Sequence, residues 1–241
     1  MKRIKIHFFY THRLIITIIF LILACTKKDA LQNDAQKFDK IARTLFKEVY
    51  PLLAMQVLQD YGISQGVCLD IGCGPAYFSI EIAKQSLLQV IGVDIDPDAI
   101  PIAQANVHEA GLDDRITIEK GDVQQLKFQD EQFDLIISRG SFLYWQDQVQ
   151  ALREIYRVLK PGGAAFIGGG MSRYITKEKK AEIKTKLAAT GFQKKCSLLI
   201  TPQVMSENLL KAGVEKYALF GDGPGESGFQ CGMWVEIRKE K

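Results

Sequence analysis

The sequence predicts an α/β domain of three layers, in which helices cover both faces of a seven-stranded, mostly parallel sheet with an antiparallel last strand. After residue 66, short apolar runs alternate with longer amphipathic ones, which is the pattern of strands joined by crossover helices. The last two apolar runs are joined by the glycine-rich connector 221–228, which is typical of a hairpin. At 241 residues and 47% hydrophobic composition, the chain can bury one sizeable core.

The first element in chain order is a helix over Asp39–Tyr61, where apolar residues recur at helical spacing and Pro51 predicts a kink. Alternating strands and helices follow. The strands are predicted at Val67–Asp70, Val90–Asp94, Ile116–Lys120, Phe133–Ser138 and Ala164–Gly168, and the helices between them at Pro75–Gln85, Pro97–Ala110 and Gln148–Leu159. Because Pro101 would lie a turn inside its helix, that helix is expected to start later than Pro97.

Beyond the fifth strand the pattern predicts two helices and the final strand pair. These are Lys177–Ala189, Gln203–Ala212, Lys216–Phe220 and Gln230–Arg238. The insert 171–200 is large enough to form a lid. Its helix carries five lysines, which suit an anionic membrane surface or substrate and equally suit a solvated helix face: Lys177, Lys179, Lys180, Lys184 and Lys186.

The charge is unevenly distributed along the chain. Of the net charge of +3, residues 1–28 contribute +6 and residues 171–200 another +6, which leaves −9 for the rest. An acidic body argues against a nucleic-acid-binding protein. The five cysteines form no CxxC pair and the three histidines are scattered, so we expect no metal site.

The N-terminus has the pattern of a targeting segment. Residues 1–13 are basic, Leu14–Ala24 is an apolar run broken only by Thr17, and Cys25 follows. This is similar to a bacterial lipoprotein signal, in which Cys25 would be lipidated, although Leu23 is less typical there than a small residue. The run is short for a transmembrane helix, which needs about 20 residues.

Three interpretations of this segment stay open: a cleaved lipoprotein-type signal, an uncleaved membrane anchor, or an extension from a start codon assigned too far upstream. The first two predict membrane association, with the domain outside the cytosol, and the third predicts a cytoplasmic protein. The predicted organisation is therefore a signal or anchor at 1–25, a linker at 26–37 and one domain at 38–241.

The strongest motif is the run V-C-L-D-I-G-C-G-P-A-Y over Val67–Tyr77, a strand that leads through a glycine turn into a helix. This arrangement brings backbone close to a nucleotide cofactor. Glycine is expected because a Cβ would strike the ligand and forbid the turn. A dinucleotide fingerprint would require glycine where Tyr77 stands. Asp70 would also repel a pyrophosphate, so the motif favours a positively charged, phosphate-free nucleoside.

The run Asp70-x-Gly72-x-Gly74 resembles motif I of class I S-adenosylmethionine-dependent methyltransferases of the small-molecule type, with Ala76 at the position of the usual third glycine. The resemblance continues in the family's order. It includes the stretches Gly92–Pro97, Gly121–Val123, Phe133–Ser138 and Leu159–Gly163. It covers about Phe38 to Gly170 and the last strands, and it implies a Rossmann-like fold with S-adenosylmethionine as co-substrate and no metal.

The resemblance also implies roles for single residues. Asp94 would hold both ribose hydroxyls, Asp122 the adenine amino group, and Val123 would offer its backbone and an apolar edge. Ser138 and Arg139 would lend backbone to the methionine moiety. The implied cofactor-binding residues are Asp70, Gly72, Cys73, Gly74, Asp94, Ile95, Asp122, Val123, Ser138 and Arg139. Cys73 is expected to serve through packing or backbone contact and not as a nucleophile.

Methyl transfer from a sulfonium is an in-line displacement, for which positioning supplies much of the rate and a base is needed only if the acceptor must lose a proton. We identify no base at the loops of the cleft. Two short motifs that accompany methylation of nucleic-acid bases, Asn/Asp-Pro-Pro-Tyr and Pro-Cys, do not occur. We therefore expect a small-molecule acceptor and no nucleic-acid partner.

The acceptor-side candidates are Arg139, Tyr144, Trp145 and, on the N-terminal helix, Tyr50. A cation and aromatic walls suit a small anionic or planar molecule, although Tyr144 and Trp145 could equally pack against the adjoining helix. Three functions are compared: a methyltransferase acting on a small or lipid-soluble molecule near a membrane, a non-catalytic S-adenosylmethionine-binding membrane-associated protein, and a nicotinamide dehydrogenase. Asp70 and Tyr77 count against the third.

Overall fold

The computed structural model describes residues 34–191, 200–221 and 232–241. It contains one seven-stranded sheet with the order β3-β2-β1-β4-β5-β7-β6, in which β1 to β5 are parallel and β7 is antiparallel to both of its neighbours. The strands are β1 Val67–Ile71, β2 Gln89–Asp94, β3 Ile116–Lys120, β4 Phe133–Arg139, β5 Leu159–Gly168, β6 Tyr217–Phe220 and β7 Trp234–Arg238. The predicted fold class is confirmed.

Helices cover both faces of this sheet. They are α1, which includes residues 34–44, α2 Val49–Tyr61, α3 Tyr77–Gln85, α4 Ala99–Glu109, α5 Gln148–Val158, α6 Lys177–Ala189 and α7 Pro202–Lys211. Two 3-10 turns follow β3 and β4, at Val123–Gln125 and Phe142–Tyr144. No helix in the described ranges is long and apolar enough to cross a membrane. The predicted signal or anchor segment lies outside those ranges.

The sequence predicts one kinked helix at the N-terminus, but the structure has two. Helix α1 ends at residue 44, and α2 begins at Val49 after a turn. Pro51 is the third residue of α2, in the first turn, where an amide N–H has no partner within the helix in any case. Pro101 occupies the same position in α4, which begins at Ala99 as its presence predicts. Helix α1 is described from residue 34, four residues before Phe38.

Strand β5 is longer than predicted, because the Pro161-Gly162-Gly163 turn continues the strand instead of preceding it. The pairing with β4 shifts between Phe133 and Leu135, which accommodates the extra residues as an irregularity in the ladder. Gly163 is required there, since a Cβ would lie 2.9 Å from the carbonyl oxygen of Asp134.

The core consists of two apolar layers, one on each face of the sheet, and alternate strand residues supply them. Cys68 and Ile137 lie in the layer that packs against α1 to α4 and α6, whereas Leu69 and Ile136 lie in the layer that packs against α5 and α7. The carboxyl ends of β1, β2 and β4 therefore meet at one edge of a rigid sheet. The strand order changes direction between β1 and β4, which is where α/β sheets commonly bind ligands.

The basic helix α6 agrees with its predicted bounds, but its lysines differ in environment. Lys177, Lys184 and Lys186 are exposed, whereas Lys180 is buried. Lys179 pairs with Glu48 at 3.1 Å, which joins α6 to the corner between α1 and α2. Helix α6 is therefore joined to the N-terminal helices and is not a wholly solvated face.

Candidate functional site

A cavity of about 920 Å³ opens at the carboxyl edge of the sheet. Its floor is formed by the ends of β1, β2 and β4, and residues of α1 and the end of α6 complete its walls. Of the predicted site residues, nine line it: Gly72, Gly74, Asp94, Ile95, Asp122, Val123, Arg139, Tyr144 and Trp145. Asp70, Cys73, Ser138 and Tyr50 do not line it and are buried beside it.

The glycine turn after β1 is held in place by β2. The amides of Gly72 and Cys73 both donate to the carbonyl oxygen of Val93, at 2.8 and 3.0 Å. Gly72 and Gly74 have φ values of +65° and +51°, a region that favours glycine. A Cβ on Gly72 would lie 2.2 Å from the Cβ of Ser141. The protein itself therefore excludes a side chain here, through Ser141, a cause that the sequence did not reveal.

Ala76 stands where related turns carry a third glycine. It is fully buried, precedes α3 and has φ +64°, so an alanine adopts a left-handed conformation at this point. Such a conformation costs an L-residue about 1–2 kcal/mol. The methyl group thus fills buried space at the expense of backbone strain.

Asp94, the last residue of β2, links the turn to the following loop. Its Oδ2 accepts from the amide of Gly74 at 2.8 Å and its Oδ1 from the amide of Asp96 at 3.0 Å. Burial raises the pKa of this carboxyl, and the backbone hydrogen bonds act in the opposite direction. Each oxygen keeps a further lone pair, so the carboxylate can accept two hydroxyl hydrogen bonds from a ligand in the cavity.

Asp70 lies beneath the turn, not in the cavity. Its Oδ2 accepts from Ser79 Oγ at 2.6 Å, and burial raises its pKa to about 7, with a smaller contribution from the charge of Asp94. A buried carboxyl with such a pKa changes its ionisation when a positive charge approaches.

Asp122 and Val123 form the next part of the wall, after β3. Asp122 Oδ1 accepts from the amide of Gln124 at 2.9 Å and so caps the 3-10 turn. Ile95 lies on the cavity wall with 60% of its surface exposed, which leaves an apolar face for a planar ring. A carboxylate beside two apolar side chains can bind an amino-bearing aromatic base.

The side chains of Ser138 and Cys73 are buried and make contacts within the protein. Ser138 Oγ lies 2.6 Å from Ser141 Oγ, which in turn donates to the carbonyl of Ile71 at 3.1 Å. The Sγ of Cys73 is 3.1 Å from the position that a Cβ on Gly92 would take, and burial raises the pKa of this thiol. Neither side chain is placed to react with a molecule in the cavity.

The acceptor-side candidates divide into two groups. Arg139, Tyr144 and Trp145 line the cavity, and Trp145 also packs against the apolar layer under α5. Tyr50 is buried, and burial raises the pKa of its phenol. Its hydroxyl accepts a long hydrogen bond, 3.5 Å, from Arg139 Nη1. Tyr50 is therefore placed to position Arg139 and not to act as a base.

Several cavity residues escaped the sequence analysis. Phe38 packs on Gly74, where a Cβ would come within 3.4 Å of its ring, and Phe46 and Leu187 line the wall. Phe46 falls within the predicted helix over Asp39–Tyr61, and the apolar spacing that predicts that helix does not distinguish core from cavity. Leu187 lies on a helix identified mainly by its charges. In the part of the chain that the structure describes, no group of three or more His, Cys, Asp or Glu side chains could hold a metal ion.

Comparison with known proteins identifies similar chains. Residues 69–167 match the family described as a methyltransferase domain. A solved structure of a putative S-adenosyl-L-methionine-dependent methyltransferase from Methanococcus maripaludis is 34% identical, with a TM-score of 0.77, and the match covers 87% of this chain and 94% of that one. The cyclase SpnF is 19% identical with a TM-score of 0.58, over 79% of this chain and 81% of that one, a likeness of fold alone.

Curated relatives match over a shorter stretch. The demethylmenaquinone methyltransferase of Lactiplantibacillus plantarum is 38% identical over 96 residues, which is 39% of this chain and 40% of that protein. The chain thus matches about two fifths of the length of this relative.

Proposed function

We propose that this chain, which belongs to the class I S-adenosylmethionine-dependent methyltransferase family, moves a methyl group from S-adenosylmethionine to a small or lipid-soluble acceptor by in-line displacement. One observation carries the proposal. Asp94 lines the cavity while it also accepts from the amide of Gly74, so a carboxylate and a glycine turn form one surface for a phosphate-free nucleoside. S-adenosylmethionine is the co-substrate of the family.

The described residues fit this co-substrate at each end. Asp94 has free lone pairs for the ribose hydroxyls. Asp122, Val123 and Ile95 offer a carboxylate and apolar edges for adenine. Gly72 and Gly74 line the cavity and carry no side chains of their own, so their backbone can lie close to the methionine part.

The bound co-substrate supplies an electrophilic methyl group. An acceptor atom donates its lone pair to the methyl carbon while the carbon–sulfur bond breaks, and the bonding electrons stay on sulfur. The residues around the cavity position the acceptor and exclude water, which is where most of the acceleration of such a displacement arises. No histidine lines the cavity among the described residues. We therefore propose an acceptor whose nucleophilic atom needs no strong base from the protein.

We propose further that the protein works at a membrane surface and binds neither nucleic acid nor metal. The apolar run Leu14–Ala24 and the basic residues before it support this localisation. Helix α1, part of the cavity wall, is described from residue 34, only ten residues after that run. The exposed lysines of α6 add a basic surface beside the same cavity, which suits anionic lipid headgroups.

A second function, a non-catalytic S-adenosylmethionine-binding protein associated with a membrane, has one observation in its favour. The described cavity contains carboxylates at its nucleoside end but no side chain that is evidently catalytic. The fold also occurs in a cyclase, and a fold by itself does not imply an activity.

Calorimetric titration of the full chain with S-adenosylmethionine, S-adenosylhomocysteine and NAD tests the cofactor. We expect the first two to bind and NAD not to bind. The variant Asp94→Ala should lose about 1.5–3 kcal/mol of binding free energy, or roughly 10- to 150-fold in affinity. Asp98→Ala is the matched control, because that carboxylate is on the same loop but does not line the cavity. Equal affinities of both variants and wild type would remove Asp94 from the site.

Transfer of a radiolabelled methyl group to membrane and metabolite extracts distinguishes the two functions. Label in an extracted small molecule or lipid, lost in Asp94→Ala, supports the enzyme. Tight binding without transfer to any fraction supports the binding protein. Cell fractionation, with sequencing of the mature N-terminus, tests the localisation: membrane recovery with Cys25 as first residue supports the lipoprotein, and soluble recovery contradicts membrane attachment.

A further inference from the structure

The contacts of the Arg139 guanidinium are not explained by binding of the nucleoside part of the co-substrate. Its guanidinium carbon lies 4.3 Å from the ring centroid of Phe46 and 5.2 Å from that of Tyr50. Its Nε donates to the carbonyl of Gly170 at 3.1 Å. Aromatic stacking and this hydrogen bond hold the guanidinium plane in one orientation at the cavity wall.

Among the residues that the structure describes, this cation has no anionic partner. Its described hydrogen bonds go to a carbonyl and to the phenol of Tyr50, and no carboxylate in residues 34–191, 200–221 or 232–241 lies within ion-pair distance of it. Four other described arginines, Arg43, Arg157, Arg173 and Arg238, pair with carboxylates. Arg115 and Arg153 also lack a carboxylate partner among the described residues, but neither lines the cavity. Nη2 has no acceptor among the described residues.

The charges that line the cavity are separated in space. Asp94, Asp96 and Asp122 lie at the ends of β2 and β3, on one side of β1, whereas Arg139 is the last residue of β4, on the other side. Arg139 contacts Phe46 and Tyr50, near the corner between α1 and α2, and Asp34 and Lys37 of α1 complete the charged lining. A molecule that spans this cavity meets acidic groups at one end and an oriented guanidinium at the other. Guanidinium forks bind carboxylate and phosphate oxygens through paired hydrogen bonds.

We propose that Arg139 is an anion-binding residue of the cavity that takes a carboxylate or phosphate group of a bound molecule. The inference rests on the proposed function and deepens it. Two sources share this chemistry: the carboxylate of the methionine moiety of the co-substrate, and an anionic group on the acceptor. Tyr50, which is buried beside the cavity, and Phe46, which lines its wall, are the positioning residues, because their rings orient the guanidinium.

The first arm of the test uses two nucleosides that differ in the carboxylate. The full chain and the variants Arg139→Gln and Arg139→Lys are titrated with S-adenosylhomocysteine and with 5′-methylthioadenosine, which lacks the amino-acid group. If the methionine carboxylate is the partner, Arg139→Gln loses about 10-fold or more in affinity for the first ligand and less than about twofold for the second. Arg139→Lys, which keeps the charge but not the fork, falls between.

The second arm titrates the S-adenosylhomocysteine-saturated protein with benzoate and with its neutral analogue benzamide. If the partner is an acceptor anion, wild type binds benzoate more tightly than benzamide, and Arg139→Gln abolishes this preference while its nucleoside affinities stay unchanged. Urea denaturation of each variant reports whether the fold is retained. Arg153→Gln, at an exposed arginine that does not line the cavity, is the matched control and should keep the ligand preferences of wild type.

Either pattern supports the inference and identifies the source of the anion. The inference is overturned if Arg139→Gln, folded like wild type, keeps both the nucleoside affinities and the benzoate preference, or if wild type lacks that preference and its nucleoside affinities do not depend on Arg139. These results leave the proposed function intact. A wild-type chain that binds neither nucleoside would instead contradict the proposed function.

Discussion

Replacing Gly72 by alanine separates two physical reasons for a glycine at the cavity floor. The first is the backbone: φ is +65°, and a left-handed conformation costs an L-residue about 1–2 kcal/mol. The second is space: the new Cβ would lie 2.2 Å from Ser141 Cβ and 2.7 Å from its Oγ, and overpacking of this kind costs about 1–3 kcal/mol. We expect Gly72→Ala to lower the free energy of unfolding by roughly 2–5 kcal/mol in total.

Gly111→Ala is the matched control for the backbone part. Gly111 has φ +66°, and nothing lies within 4 Å of the Cβ that alanine would add. Its substitution should therefore cost only the conformational part, about 1–2 kcal/mol. The difference between the two variants measures the contact with Ser141. Urea denaturation followed by far-ultraviolet circular dichroism is the assay.

The double variant Gly72→Ala with Ser141→Gly tests the cause directly. Ser141→Gly alone removes the hydroxyl that contacts Ile71 and Ser138 and should cost about 1–2 kcal/mol. In the double variant the steric contact disappears. Its loss of unfolding free energy should therefore be smaller than the sum of the two single losses by about 1–3 kcal/mol. Additive costs, or equal costs for Gly72→Ala and Gly111→Ala, would refute the idea that Ser141 is the reason for the glycine.

Two further predictions concern the same region. Ala76→Gly should leave stability unchanged or raise it by up to about 1 kcal/mol, because the relief at φ +64° exceeds or offsets the loss of one buried methyl; a clear loss in urea denaturation would contradict this. The pKa of Asp70 is raised to about 7 in the ligand-free fold, so between pH 4 and pH 7 the folded chain holds a proton that the unfolded chain has released. The free energy of unfolding should therefore fall as pH rises through this range, by up to about 1.4 kcal/mol per pH unit. The variant Asp70→Asn should show a smaller dependence of this free energy on pH. Identical slopes for the two proteins would show that Asp70 does not titrate there.

The break between α1 and α2 illustrates what a local pattern cannot decide. Apolar residues continue at helical spacing from Ile41 to Leu58, so the sequence predicts one helix. The chain instead interrupts the helix before Val49, and the interruption places Phe46 against the guanidinium of Arg139. Periodicity reports which residues face an apolar environment, but a core and a cavity wall are both apolar.

The sequence by itself determined the order of strands and helices, the glycine turn and the two carboxylates at strand ends. Alternation of apolar residues and the conformational demands of glycine and proline act within a few residues, so these features can be predicted from neighbours in the chain. Only the tertiary structure decided that Ser141 fills the space above Gly72, that Asp70 lies beneath the turn, and that Leu187 reaches the same cavity as Phe38. These arrangements depend on contacts between residues far apart in the chain, which arise when close-packed layers assemble on the sheet.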